Sequence, residues 1–166
     1  MFYLLDQLVT KSIEELAPLI RNKEISPVEL TRTTLDQEKS CNGLLNAYLS
    51  IFHEEAIKDA ENAEKEIMQG IYRGDVHGIP MALKDNIYFK NKITTIGSKI
   101  HNSFISSFDA TVVKRLKKAG VILTGKLNMD EYAAGVTTNN SHFGSSHNPW
   151  DSKKTPGGSS GGQEWL

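Results

Sequence analysis

Ile79-Pro80-Met81-Ala82-Leu83-Lys84-Asp85-Asn86-Ile87 is the stretch on which the fold turns. It is an apolar run broken by one lysine and by Asp85-Asn86, and it follows the turn-forming pair His77-Gly78. That is the pattern of a strand running into a loop. Downstream, Asp109 predicts the cap of a short helix carrying Val112, Val113, Leu116 and Ala119 that stops at Gly120, and residues 121–124 read as a short buried strand. Asn128 then predicts the cap of a further helix over residues 129–134. The order strand, helix, strand, helix across residues 79–134 implies a right-handed crossover and parallel strands covered on both faces. The expected fold class is therefore α/β.

Upstream, the periodicity is helical. Ser12 with Glu15 forms a capping-box pattern, and Ile13, Leu16, Leu19 and Ile20 share one face, with Pro18 expected to weaken the middle. Ser26, Pro27 and Glu29 open a second helix running to about Lys39. Residues 54–69 predict a third, with Glu54/Lys58 and Glu61/Lys65 spaced for i,i+4 pairs and Gly70 as its stop. The chain thus divides into a helical part at 1–70, strand and helix alternation at 71–134, and Gly/Ser-rich loops at 135–166. His142-Phe143, His147 and Trp150 within those loops predict packing against a neighbour, since linkers seldom carry such side chains.

Composition narrows the function. A chain of 166 residues with 39% apolar and 23% charged residues can bury a core and is not a disordered tail. Lys+Arg 19 against Asp+Glu 20 excludes nucleic-acid binding by bulk charge. The single cysteine, Cys41, cannot form an internal disulfide, which favours a reducing compartment. No stretch approaches the roughly 18 to 20 apolar residues of a membrane span. The apolar run at residues 2–5 is interrupted by Asp6 and lacks a basic lead, so no signal peptide is expected and the cytoplasm is the expected location.

Three features could carry chemistry. Gly157-Gly158-Ser159-Ser160-Gly161-Gly162 reads either as a flexible linker or as a loop whose backbone N–H groups approach a small ligand. Lys84 reads either as the solvated end of a strand or as a desolvated base that activates a serine. The latter requires its pKa to fall by about 3 units from the free value of about 10.4. Residues 120–127, G-x-x-x-x-G-K-L, approach a phosphate-binding loop, but Val121, Ile122, Leu123 and Thr124 form a strand where a cradle is needed. Leu127 also stands where a magnesium-binding hydroxyl belongs. The histidines at 53, 77, 101, 142 and 147 make no metal-ligand pattern.

Lys84-Asp85-Asn86, Gly125-Lys126-Leu127-Asn128-Met129-Asp130-Glu131, Asn148-Pro149-Trp150 and the Pro156 to Gly162 segment follow one another in an order that resembles the amidase signature family. The resemblance runs over nearly the whole chain, from about residue 12 to residue 162. It implies N-terminal helices leading into part of a mixed, mostly parallel sheet, an incomplete portion of a single amidase domain spanning 1–166. It further implies a serine amidohydrolase with a Ser, cis-Ser, Lys triad acting on a small amide such as glutamine or asparagine, with no cofactor or metal. Lys84 matches the catalytic base and Ser159 the bridging serine, with Gly157, Gly158, Ser160, Gly161 and Gly162 as the supporting loop. The segment Gly135-Val136-Thr137-Thr138 is expected beside the pocket. In members that serve tRNA amidation, the ammonia released passes to a partner subunit. The family's nucleophilic serine and oxyanion donors belong to a later Gly/Ser-rich loop, and Gln163-Glu164-Trp165-Leu166 does not supply them. These 166 residues alone are therefore expected to be inactive, or else to act as a noncatalytic fragment that joins a partner subunit.

Overall fold

Ser12 opens the first helix, α1 (Ile13–Arg21), with both halves of its capping box formed. Its hydroxyl accepts from Glu15 N, and the Glu15 carboxylate accepts from Ser12 N at 2.8 Å. The computed structural model describes residues 8–139 and 142–165; the run at residues 2–5 lies outside them. α1 continues through Pro18 to Arg21 and turns Leu16, Ala17 and Ile20 inward. The Ser26 hydroxyl accepts from Val28 N and Glu29 N at the start of α2 (Pro27–Leu45). α2 outruns its expected end at Lys39 by more than a turn. In its last turns Cys41 and Leu45 pack with Ala47, Tyr48 and Leu127, and the Asn42 amide pairs with both backbone groups of Tyr48. Tertiary packing thus offsets the weak helix propensity of the polar run and Gly43.

After β1 (Tyr48–Ile51) and α3 (His53–Met68) come β2 (Pro80–Lys84), a 3₁₀ turn at Lys99–His101, α4 (Thr111–Ala119) and β3 (Ile122–Leu127). The three strands lie in the order β1-β3-β2. β1 runs antiparallel to β3, with Tyr48 opposite Leu127 and Ile51 opposite Gly125. Ile122 N–H donates to Ile79 O, and Asp85 N–H donates to Leu127 O. Residue numbers rise together along β2 and β3, so that pair is parallel and the sheet is mixed.

Three expectations are corrected. β3 does not stop at residue 124 but continues through Gly125 and Lys126, every residue buried. Gly125 permits this: a Cβ there would lie 2.4 Å from Ser50 O and 2.9 Å from the Tyr48 ring. The helix expected at 129–134 is only a 3₁₀ turn at Glu131–Ala133, with Tyr132 and Ala133 at positive φ. Asn128 does not cap it. Its amide instead bonds Met129 N, Asn46 O and Gly144 O. Trp150, expected to pack, is 94% exposed.

The described chain forms two compact units, one of Met1–Gln37, Phe52–Met81 and Arg115–Thr124, the other of Glu38–Ile51, Ala82–Lys114 and Gly125–Leu166. The first has a core of Leu8, Leu16, Ile20, Ile25, Leu30, Ile67 and Ile79. The second contains every candidate site residue. Among the described residues no helix is long and apolar enough to cross a membrane.

Candidate active site

Lys84 ends β2, and its Nζ lies 2.6 Å from Ser159 Oγ, 75 residues away in sequence. The side chain stands at the strand end and is half-buried. Burial pushes its ammonium below the usual lysine value, against the pull of the Asp130 carboxylate. That is the direction a general base near neutral pH requires.

The Gly157–Gly162 loop is not a free linker, because its backbone groups are held one by one. Thr155 Oγ1 accepts from Gly157 N (3.1 Å), while Thr138 Oγ1 donates to Gly157 O and accepts from Gly161 N, both at 2.9 Å. Asp130 N donates to Ser159 O, Ser160 O accepts from Gln163 N, and Gly162 N donates to Asn128 O. The Gly158–Ser159 peptide is cis.

The glycines are required by contact as well as by turn geometry. A Cβ on Gly158 would lie 2.3 Å from Asp130 Oδ2 and 2.6 Å from Thr137 N. One on Gly162 would lie 2.4 Å from Ala47 O. Gly157 also sits at φ 97, where other residues are strained. The segment at 135–138 accordingly lies against Gly158, and Thr137 N donates to Asp130 Oδ2.

Paired with Asp85, the neighbour of Lys84 in sequence, is a lysine that the sequence motifs contain but assign no role. Lys126 of β3 is wholly buried, with Nζ 3.0 Å from Asp85 Oδ1 and within reach of Thr94 Oγ1 (3.2 Å). Asp85 Oδ2 in turn accepts from both Thr95 N, at 2.8 Å, and the Thr95 hydroxyl. Burial pushes Lys126 down and the Asp85 carboxylate pulls it back. A signal for it does exist in the sequence, since a lysine beside a buried strand is the same oddity that marks Lys84. Asp85 follows Lys84 directly, so this ion pair and its threonines fix the backbone from which Lys84 projects. Among the described residues no group of three or more His, Cys, Asp or Glu side chains could hold a metal ion.

A family model described as Amidase matches residues 29–163. The chain is similar to the A subunit of the glutamyl-tRNA(Gln) amidotransferase of Coxiella burnetii, at 47% identity over 92% of this chain and 31% of the relative. The corresponding protein of Heliobacterium modesticaldum is 41% identical over 94% of this chain and 32% of its own length. The chain therefore spans about a third of the length of these curated relatives. Among solved structures it is similar to a bacterial aryl acylamidase of the amidase signature family, with a TM-score of 0.86 at 30% identity over 92% of this chain and 32% of that one. Fatty acid amide hydrolase gives a TM-score of 0.89 at 25% identity over 98% of this chain and 29% of that one.

Proposed function

The chain belongs to the amidase family, and on that premise we propose that it carries the base and the proton relay of a serine-type carboxamide hydrolase, as part of one amidase domain. The observation that carries this reading is the 2.6 Å contact between Lys84 Nζ and Ser159 Oγ. Unprotonated Lys84 takes the proton of Ser159, and Ser159 takes that of a nucleophilic serine, which attacks the amide carbonyl. Ammonia leaves with the proton returned along the same path, and water then hydrolyses the acyl-enzyme. Gly157, Gly158, Ser160, Gly161 and Gly162 give the bridge its position.

The family resemblance points to glutamine as the amide and the cytoplasm as the location, and the similarity to the A subunit of the Coxiella burnetii glutamyl-tRNA(Gln) amidotransferase supports an amidotransferase complex as the setting. There the ammonia would pass to a partner subunit, where it would amidate glutamate carried on tRNA(Gln). The resemblance puts the nucleophilic serine in a later Gly/Ser-rich loop; on that reading residues 1–166 assayed by themselves should release ammonia from glutamine or asparagine only at background rate. Substituted for the matching third of the Coxiella burnetii protein, they should support hydrolysis. In that chimera Lys84→Ala and Ser159→Ala should each lower kcat by about 10³-fold or more. A chimera whose activity survives Ser159→Ala would refute the relay.

A further inference from the structure

Ser159 sits mid-way along a segment of glycines and serines with little side chain of its own to anchor it. Something outside the segment must decide where its hydroxyl points. Thr138 is fully buried and reaches both ends of that segment with one oxygen. Gly161 N–H can only donate and Gly157 C=O can only accept, so the direction of both hydrogen bonds is fixed: the hydroxyl accepts from the first and donates to the second. Gly158, Ser159 and Ser160 are the residues enclosed between the two contacts.

The rest of Thr138 is built to hold that oxygen still. Its backbone is at φ 51, a conformation rare for a β-branched residue, and its carbonyl accepts from Ser146 N at 3.1 Å. There is no slack on the far side, since a Cβ on Gly161 would lie 2.3 Å from Thr138 Oγ1. Thr155 makes a parallel contact from the exposed side, bonding Thr137 O and Gly157 N, but it holds one end alone.

We propose that Thr138 is a positioning residue of this site, its hydroxyl clamping the Gly157–Gly161 segment at both ends and so setting where Ser159 presents its Oγ to Lys84. This rests on the Lys84–Ser159 pairing proposed above. It makes the hydroxyl, and not the volume, of residue 138 the property that matters.

The test reads Lys84 in residues 1–166 without any need for turnover. Lysines are acylated competitively with trace reagent across pH, and mass spectrometry gives the midpoint for Lys84, whose charged neighbour is Asp130. Ser159→Ala should displace that midpoint by about one pH unit, the size of a lost charge-assisted hydrogen bond. Thr138→Val should reproduce the displacement in the same direction, Thr138→Ser should restore the unmodified midpoint, and Thr155→Val should leave it in place. Buried Lys126 should stay unreactive throughout, which certifies the fold. Should Thr138→Val unfold the chain, Thr138→Ala replaces it, since it removes the hydroxyl without adding a methyl.

A Thr138→Val midpoint equal to that of the unmodified chain, with Ser159→Ala displaced, overturns the clamp and leaves the pairing standing. An unmoved Ser159→Ala midpoint overturns the pairing, and the clamp with it. Loss of Lys126 protection in both Thr138→Val and Thr138→Ala, with Thr138→Ser intact, overturns the proposal by showing that the hydroxyl holds the fold and not the serine.

Discussion

The core of the helical unit and the loops after β3 are held by different kinds of force. In the first, Leu16 and Ile20 of α1, Leu30 of α2 and Ile67 of α3 meet Leu8, Ile25 and Ile79 in one apolar cluster. Such contacts have no direction, and a replacement of similar volume serves nearly as well. In the second, the side chains of Asn128, Asp130 and Thr138 fix the chain through hydrogen bonds, each pairing a particular atom with a particular backbone group. Volume is not enough there. A side chain of the right shape with the wrong atom leaves a buried group unpaired, which costs about 1–3 kcal/mol. The helical core should therefore tolerate conservative exchange, and the site loops should not.

The sharpest test lies where the two kinds of force meet a charge. Asp85→Ala leaves Lys126 buried without its carboxylate and should destabilise the chain by about 3–5 kcal/mol, read from the urea midpoint. Adding Lys126→Met should recover most of that loss, because the charge that lacked a partner is gone. A cost below about 1 kcal/mol for Asp85→Ala alone would mean that this ion pair is not a structural element of the site unit.

Next in size is the apolar cluster. Ile20→Ala should cost about 2–5 kcal/mol, and Ile20→Val only about 0.5–1.5. If the valine variant costs as much as the alanine, the helical core is as shape-specific as the loops and the contrast fails.

Gly161→Ala tests the loops on the same scale. The added methyl would meet Thr138 Oγ1 at 2.3 Å, and its relief should cost about 1–3 kcal/mol. Lys84 should also lose its unmodified midpoint, whereas Ile20→Val should leave it unchanged.

The smallest effect is a pH dependence in the helical unit. His77 is buried, its Nδ1 accepting from Arg73 N at 3.2 Å and its Nε2 lying 3.2 Å from Glu66 Oε2. Burial first, and Arg73 second, push its pKa below the ordinary histidine value, against the pull of Glu66. The folded chain thus takes up this proton less readily than the unfolded chain. The contribution is complete above the unfolded value of about 6.5 and is lost as the pH falls from there toward the lower folded value. Tm should decline between pH 7.5 and 5.5, and His77→Asn should flatten that decline. An equal slope in the variant would assign it to other groups.

What the sequence determines by itself is whatever a few neighbouring residues encode. The capping box of Ser12 and Glu15, the Ser26-Pro27 start, the periodicity of α1 and the charge spacing of α3 are complete within one or two turns, and the structure begins these helices where they are expected. The motifs around Lys84 and Ser159 are legible for a related reason, since a lysine in an apolar strand and serines between paired glycines are locally anomalous. Tertiary structure decides what depends on residues far apart. α2 runs to Leu45 because Leu45 packs on Tyr48 and Leu127; β3 keeps Gly125 and Lys126 because Ser50 and Tyr48 leave no room for a side chain at 125 and Asp85 neutralises the charge at 126. The expected helix after Asn128 gives way because the Asn128 amide bonds Asn46 and Gly144, partners no local window contains. Propensity and capping are sums over adjacent residues, whereas the burial of a charge and the satisfaction of a loop's backbone are settled only when distant segments supply the matching atoms.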